Sequence, residues 1–131
     1  MSKLVVAAAT LALGLCLPAM SVSGAANLSP IGNWQVSTGE SRYKVVFCGD
    51  GIDLCAKLTW LHPSVRTSEN LAYLNKLVLS HAAPVGDHIW AGAVDLYGEK
   101  ANGKIRQTAQ DTLVLTGCQL IMCKTVTFNR I

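Results

Sequence analysis

From residue 32 onward, short runs rich in Val, Ile, Leu, Thr, Tyr and Trp alternate with clusters of Gly, Pro, Asn and Asp. Runs this short, with β-branched and aromatic residues, read as strands, and the clusters between them read as turns. The pattern predicts strands at Gly32–Ser37, Arg42–Cys48, Leu54–Leu61 and Tyr73–Ser80, then at His88–Tyr97, Lys104–Ala109, Thr112–Gly117 and Cys123–Arg130. Turns are expected at 38–40, 49–53, 84–87 and 98–103, and a polar connection with a helical turn at 62–70. The leucines of Leu71–Leu79 also suit a short helix.

Consecutive strands joined by short loops form a meander. A meander of about eight strands can close on itself, which removes both sheet edges. The expected fold is therefore all-β: a small eight-stranded antiparallel up-and-down barrel with a short loop or helical turn after the third strand. An open two-sheet sandwich fits the same strand pattern. One apolar face is suggested by Trp34 with Val36, Val45 with Phe47, Leu58 with Trp60, Leu113 with Leu115 and Val126 with Phe128. A barrel of this size is filled by side chains or holds one small ligand.

Hydrophobic residues make up 50% of the chain, but they are concentrated at its start. Residues 1–26 read as a cleaved export signal. Lys3 is the basic residue, Leu4 to Leu17 the apolar run, Pro18 the break, and Ser23-Gly24-Ala25 or Gly24-Ala25-Ala26 the cleavage site. The apolar run is shorter than the ~20 residues that span a bilayer. Leu13-Gly14-Leu15-Cys16 has Leu where a lipoprotein box needs a small residue. The expected domain is then 27–131, periplasmic or secreted, without a transmembrane segment. Loss of Lys3 lowers the net charge from +3 to +2. That charge is small and dispersed, which excludes a basic nucleic-acid-binding face.

Loss of Cys16 leaves Cys48, Cys55, Cys118 and Cys123, an even set that reads as a disulfide framework in an exported chain. Each close pair flanks a turn, so Cys48–Cys55 and Cys118–Cys123 are the favoured bridges. Crossed bridges and a four-cysteine zinc site are the alternatives, though a six-residue gap is long for zinc. His62, His81 and His88 have no ligand-like spacing, and Asp50 and Asp53 lack the acidic residue that closes a calcium loop. No metal or cofactor is expected. Gly-x-Ser-x-Gly, His-Glu-x-x-His and phosphate-loop motifs are absent, so the chain does not read as an enzyme. Leu120, Ile121 and Met122 are apolar at a predicted turn, where polar residues are usual. With Trp60 and Trp90 they are the candidate contacts for an apolar ligand or a partner.

Gly32-x-Trp34 near the start and Arg130 near the end resemble the lipocalin-like (calycin) arrangement. That resemblance implies a Trp plugging one barrel end with an Arg across its indole. More narrowly, the chain from Ile31 to Arg130 resembles domain of unknown function 2147, a family of small exported bacterial proteins. The residues that carry this are Gly32-x-Trp34, Cys48-Gly49-Asp50, Leu54 to Leu61, Trp90-x-Gly92, Asp111 to Cys118 and Lys124 to Arg130. Ala56 and Phe128 stand where the family commonly has Gly and Trp, and the stretch after Pro63 is shorter. The resemblance implies a barrel in the cell envelope and no established activity. The functional expectation is a binder of a small apolar or amphipathic molecule. The alternative is a non-catalytic structural or protein-interaction module with a filled interior.

Overall fold

A computed structural model describes residues 28–96 and 98–131, with Gly14 isolated upstream. The export signal and its cleavage site lie outside the described residues. Eight strands follow one another: β1 (Gly32–Val36), β2 (Ser41–Cys48), β3 (Asp53–Leu61), β4 (Leu77–Gly86), β5 (Ile89–Leu96), β6 (Glu99–Ala109), β7 (Thr112–Gln119) and β8 (Met122–Arg130). Each pairs antiparallel with its neighbour, and β1 pairs with β8, so the sheet is a closed barrel in chain order. Closure satisfies the backbone groups that an open sheet leaves at its edges.

The interior is filled from inward-facing residues of every strand except the open half of β8. Trp34, Leu54, Leu58 and Leu61 are wholly or almost wholly buried, and Val45, Leu79, Val94, Ile105, Leu113 and Leu115 pack with them. Tyr43 meets Phe128 edge to face at 5.4 Å between ring centres, a favoured aromatic geometry.

Two barrel ends result. At one end lie the turns 49–52, 87–88 and 110–111 and the incoming segment 28–31, whose Ser29 O accepts from Gln107 Nε2 at 2.9 Å. Trp34 is 0% exposed and its indole Nε1 donates to Pro30 O at 2.8 Å. The Arg130 guanidinium lies 4.3 Å from the Trp34 ring centre. Arg130 also donates from Nη2 to Ser29 O (2.6 Å), from Nη1 to Ile31 O (2.8 Å) and from Nε to Gln110 O (2.9 Å). One side chain thus covers the indole and holds the incoming segment across the end. Gly32 belongs to the same closure. Its φ is +142°, and a Cβ there would stand 2.7 Å from Arg130 Nη1. Any side chain would be strained and would push the arginine from the ring.

At the other end, the connection 62–76 folds over the barrel as a 3-10 turn (Pro63–Val65) and one helical turn, α1 (Ser68–Leu71). Thr67 caps α1, its hydroxyl accepting from Asn70 N at 3.1 Å. Val65, Tyr73 and Leu74 pack down onto the core.

Three sequence expectations need correction. The predicted strand Tyr73–Ser80 is turn as far as Lys76, and β4 runs instead from Leu77 through Pro84 to Gly86. Asn75 sits at φ 65° and its N–H donates to Leu58 O at 2.7 Å, which ends the helical connection before the strand begins. The expected turn 98–103 is mostly strand, since Glu99 to Gly103 pair with Leu96 to Gly92. Glu, Lys, Asn and Gly have low strand propensity, which hid it. Lastly, Leu58 and Trp60 do not share a side. The β2–β3 register slips so that Tyr43 opposes Leu58 while Arg42 opposes Trp60. This bulge uses one extra residue, Thr59, and reverses the faces beyond it. Leu61 therefore enters the core, and Trp60 lies outside under the Arg42 guanidinium at 4.3 Å.

The two tryptophan–arginine pairs should differ sharply in cost. Trp34→Ala is expected to lower unfolding free energy by about 3–5 kcal/mol. Trp60→Ala, on the outer face, should cost about 1 kcal/mol. Urea denaturation of both variants measures the difference, and equal losses would contradict the bulge assignment.

Candidate ligand-binding site

The connection 62–76 covers only part of its end. Beside it, β5 to β8 enclose a cavity of about 290 Å³ lined by Val94, Ala101, Leu115, Gly117, Met122 and Val126, with Glu99, Gln119 and Lys124 at its rim. The local sequence explains the space. β6 and β7 turn inward Ala101 and Gly117, where the deeper positions of the same strands carry Ile105, Leu113 and Leu115. A Cβ added to Gly117 would lie 3.7 Å from the Ala101 Cβ, at ordinary contact distance. The walls are therefore apolar, and the small residues create room.

Val94 and Leu115 form the floor. Beneath them only about 40 Å³ remains, among Trp34, Tyr43, Val45, Ile105 and other core residues. The barrel is packed in its closed half, and the mouth holds the larger of these two spaces.

The rim is polar. Lys124 and Glu99 face each other across the opening at 4.0 Å, both well exposed. Such a surface pair contributes little stability, and its charges are free to meet a ligand. The Gln119 side-chain amide donates to Lys100 O at 2.6 Å and ties β7 to β6. Beyond the rim stands the β7–β8 turn, with Leu120 at φ 54°. Leu120 is 103% exposed, Ile121 97% and Met122 69%. Cys118 and Cys123 oppose each other at the base of this turn and are joined by a disulfide. A second disulfide joins Cys48 to Cys55 at the opposite end of the barrel.

The expected contacts therefore separate. Met122 lines the mouth cavity, while Leu120 and Ile121 project past it. Trp90 is buried in the core away from the mouth, and Trp60 lies outside the barrel. Glu99, Ala101, Gly117, Gln119 and Lys124 were not foreseen. The signal available was the alternation of Lys124, Val126 and Phe128 along one strand face, carried one residue pair further toward the turn. Of the histidines, His62 pairs with Ser64 at 2.8 Å, and His88 occupies a positive-φ turn position. His81 stands beside the Cys48–Cys55 bridge, its Nδ1 3.9 Å from Cys48 Sγ.

No family model matches the chain, and no curated protein matches it by sequence. The resemblance to domain of unknown function 2147 therefore rests on the quoted motifs alone. Among solved structures the fold is similar to a Helicobacter pylori protein described as belonging to the lipocalin family. The TM-score is 0.61 at 16% identity, over 79% of this chain and 84% of that one. This defines the class of architecture: a lipocalin-like barrel. Two disulfides in so small a domain fit an oxidising extracellular or periplasmic environment.

Both bridges close short loops, so each is worth about 2 kcal/mol by loop-entropy arithmetic. The paired substitution Cys118→Ser/Cys123→Ser is expected to lower stability by about that amount and leave the far-ultraviolet circular dichroism unchanged. Non-reducing peptide mapping of the natural chain should recover both local pairs, and crossed pairs would contradict the assignment.

Proposed function

We propose that this protein is an exported, non-catalytic binding module that takes one small amphipathic molecule into its mouth cavity. Residues 1–26 act as the cleaved leader, residues 27–131 as the single working domain, and the periplasm or the exterior as its location. The observation that carries this reading is the cavity between β5 and β8: apolar walls, a closed floor and a charged rim. The volume is near the lower end of the range for small-molecule sites. It suits a short apolar body with a polar or charged head that meets Lys124, Glu99 or Gln119.

Native mass spectrometry of protein purified from its own compartment should show an added mass besides the bare chain. Gly117→Leu places side-chain volume in the cavity. It is expected to weaken binding of an environment-sensitive apolar dye by at least about tenfold, with stability changed by no more than ~1 kcal/mol. Only bare mass, together with dye binding indifferent to Gly117→Leu, would overturn the reading.

The exposed Leu120–Ile121 tip favours a second reading, a module that docks a protein partner through this hairpin. Ile121→Asp tests it: loss of a crosslinked partner from envelope extracts, with dye binding retained, would shift the conclusion to that reading.

A further inference from the structure

We propose that the Cys48–Cys55 pair, once reduced, forms with His81 a binding site for a soft divalent cation of the zinc class. The site lies at the closed end of the barrel, away from the mouth, and does not depend on the ligand-binding reading.

The cluster is assembled from three strands. Cys48 ends β2, Cys55 lies near the start of β3, and His81 is in β4. The two sulfurs and His81 Nδ1 all lie within 4.8 Å of one another. Nδ1 is 3.9 Å from Cys48 Sγ. A tetrahedral ion with ordinary zinc–sulfur and zinc–nitrogen bonds places sulfur and nitrogen about 3.6 Å apart, and two sulfurs about 3.8 Å apart. The nitrogen is thus near its ligating position already, and the sulfurs reach theirs when the bond between them is broken. Cys48 is partly exposed, while Cys55 is buried.

The histidine is held there by its backbone. His81 has φ 48°, in a stretch of β4 where pairing with β5 slips between Ser80 and Ala83. In that conformation its N–H donates to Cys55 Sγ at 3.4 Å. Its ring rests against Gly49, where an added Cβ would come within 3.2 Å of Nδ1. Asp53 Oδ2 is 3.7 Å from the same nitrogen, and its negative charge favours a cation at this place. Two thiolates and an imidazole select zinc-class ions over calcium or magnesium, which need oxygen donors. The side chain of His81 is 60% exposed, so an ion can enter from solvent.

The chemistry balances with an external dithiol as reductant. The dithiol gives two electrons to the Cys48–Cys55 bond and becomes a disulfide itself, and its two protons pass to the cysteine sulfurs. The ion then displaces both protons as it binds. The oxidised pair has no thiolate to offer, so binding is conditional on redox state.

The test uses the mature chain carrying Cys118→Ser/Cys123→Ser, so that only one pair is present. It is reduced with a water-soluble phosphine, which takes up the oxygen of water as its two protons go to the sulfurs. Zinc is then titrated against a chromophoric chelator. One equivalent should bind after reduction and none before. His81→Ala removes a direct ligand and should weaken binding by more than the roughly 10-fold that losing an outer partner of a metal ligand costs. No binding after reduction, or binding unchanged by His81→Ala, overturns the proposal. If the serine variant does not fold, the natural chain is reduced in full, loaded with zinc and alkylated. Protection of Cys48 and Cys55 with modification of Cys118 and Cys123 supports the site, and equal modification of all four overturns it.

Discussion

Closure of the sheet between its first and last strands is the constraint on which the other features depend. β1 has five residues and meets β8 through three register pairs, Trp34 with Arg130, Gln35 with Asn129 and Val36 with Phe128. So short a ladder supplies few hydrogen bonds, and the side chains must reinforce it. Trp34 provides the apolar mass and Arg130 the crossing contacts, both at the first pair of the ladder. The guanidinium then links three further carbonyls from two separate segments. Charge-assisted bonds of this kind are stronger than neutral ones, which suits a junction with so little backbone pairing.

With the closed end fixed in this way, the rest of the interior follows from side-chain size along each strand. Large residues fill the half near Trp34. Ala101 and Gly117 leave the opposite half hollow, and Val94 and Leu115 divide the two. The same barrel therefore has a packed core and a binding cavity without a separate domain for either. The connection 62–76 narrows the mouth to the β5–β8 side, because Val65, Tyr73 and Leu74 occupy the remainder.

Much of the fold was legible in the chain. Alternating short runs and turn clusters gave the strand number, the order and the antiparallel sense. The motif at Gly32, Trp34 and Arg130 pointed to the plugged end before any geometry was known. What escaped was set by tertiary context. A single added residue at Thr59 reversed the facing of Trp60, and no composition signal marks a bulge. Glu99 to Gly103 looked like a turn because its side chains are polar or small, yet those properties make the mouth cavity. His81 lies 26 residues from Cys55 and 33 from Cys48, so no spacing rule could join them. The β3–β4 pairing, with Leu54 opposite Ala82, and the irregular stretch of β4 at His81 bring them together.

The placement of the two disulfides has a mechanical consequence. Cys48–Cys55 ties β2 to β3, and Cys118–Cys123 ties β7 to β8. Each staples a hairpin whose strands are already neighbours in the chain. Neither bridge ties the seam between β1 and β8, although it joins the first and last strands of the barrel. Parting it leaves both hairpins whole and turns the barrel into a sheet with two free edges. Those edges are complementary to each other, so in a concentrated solution the β1 of one molecule can close on the β8 of another. Arg130, by spanning the seam from β8 to the segment before β1, is then a guard against exchange between molecules as much as a stabiliser within one.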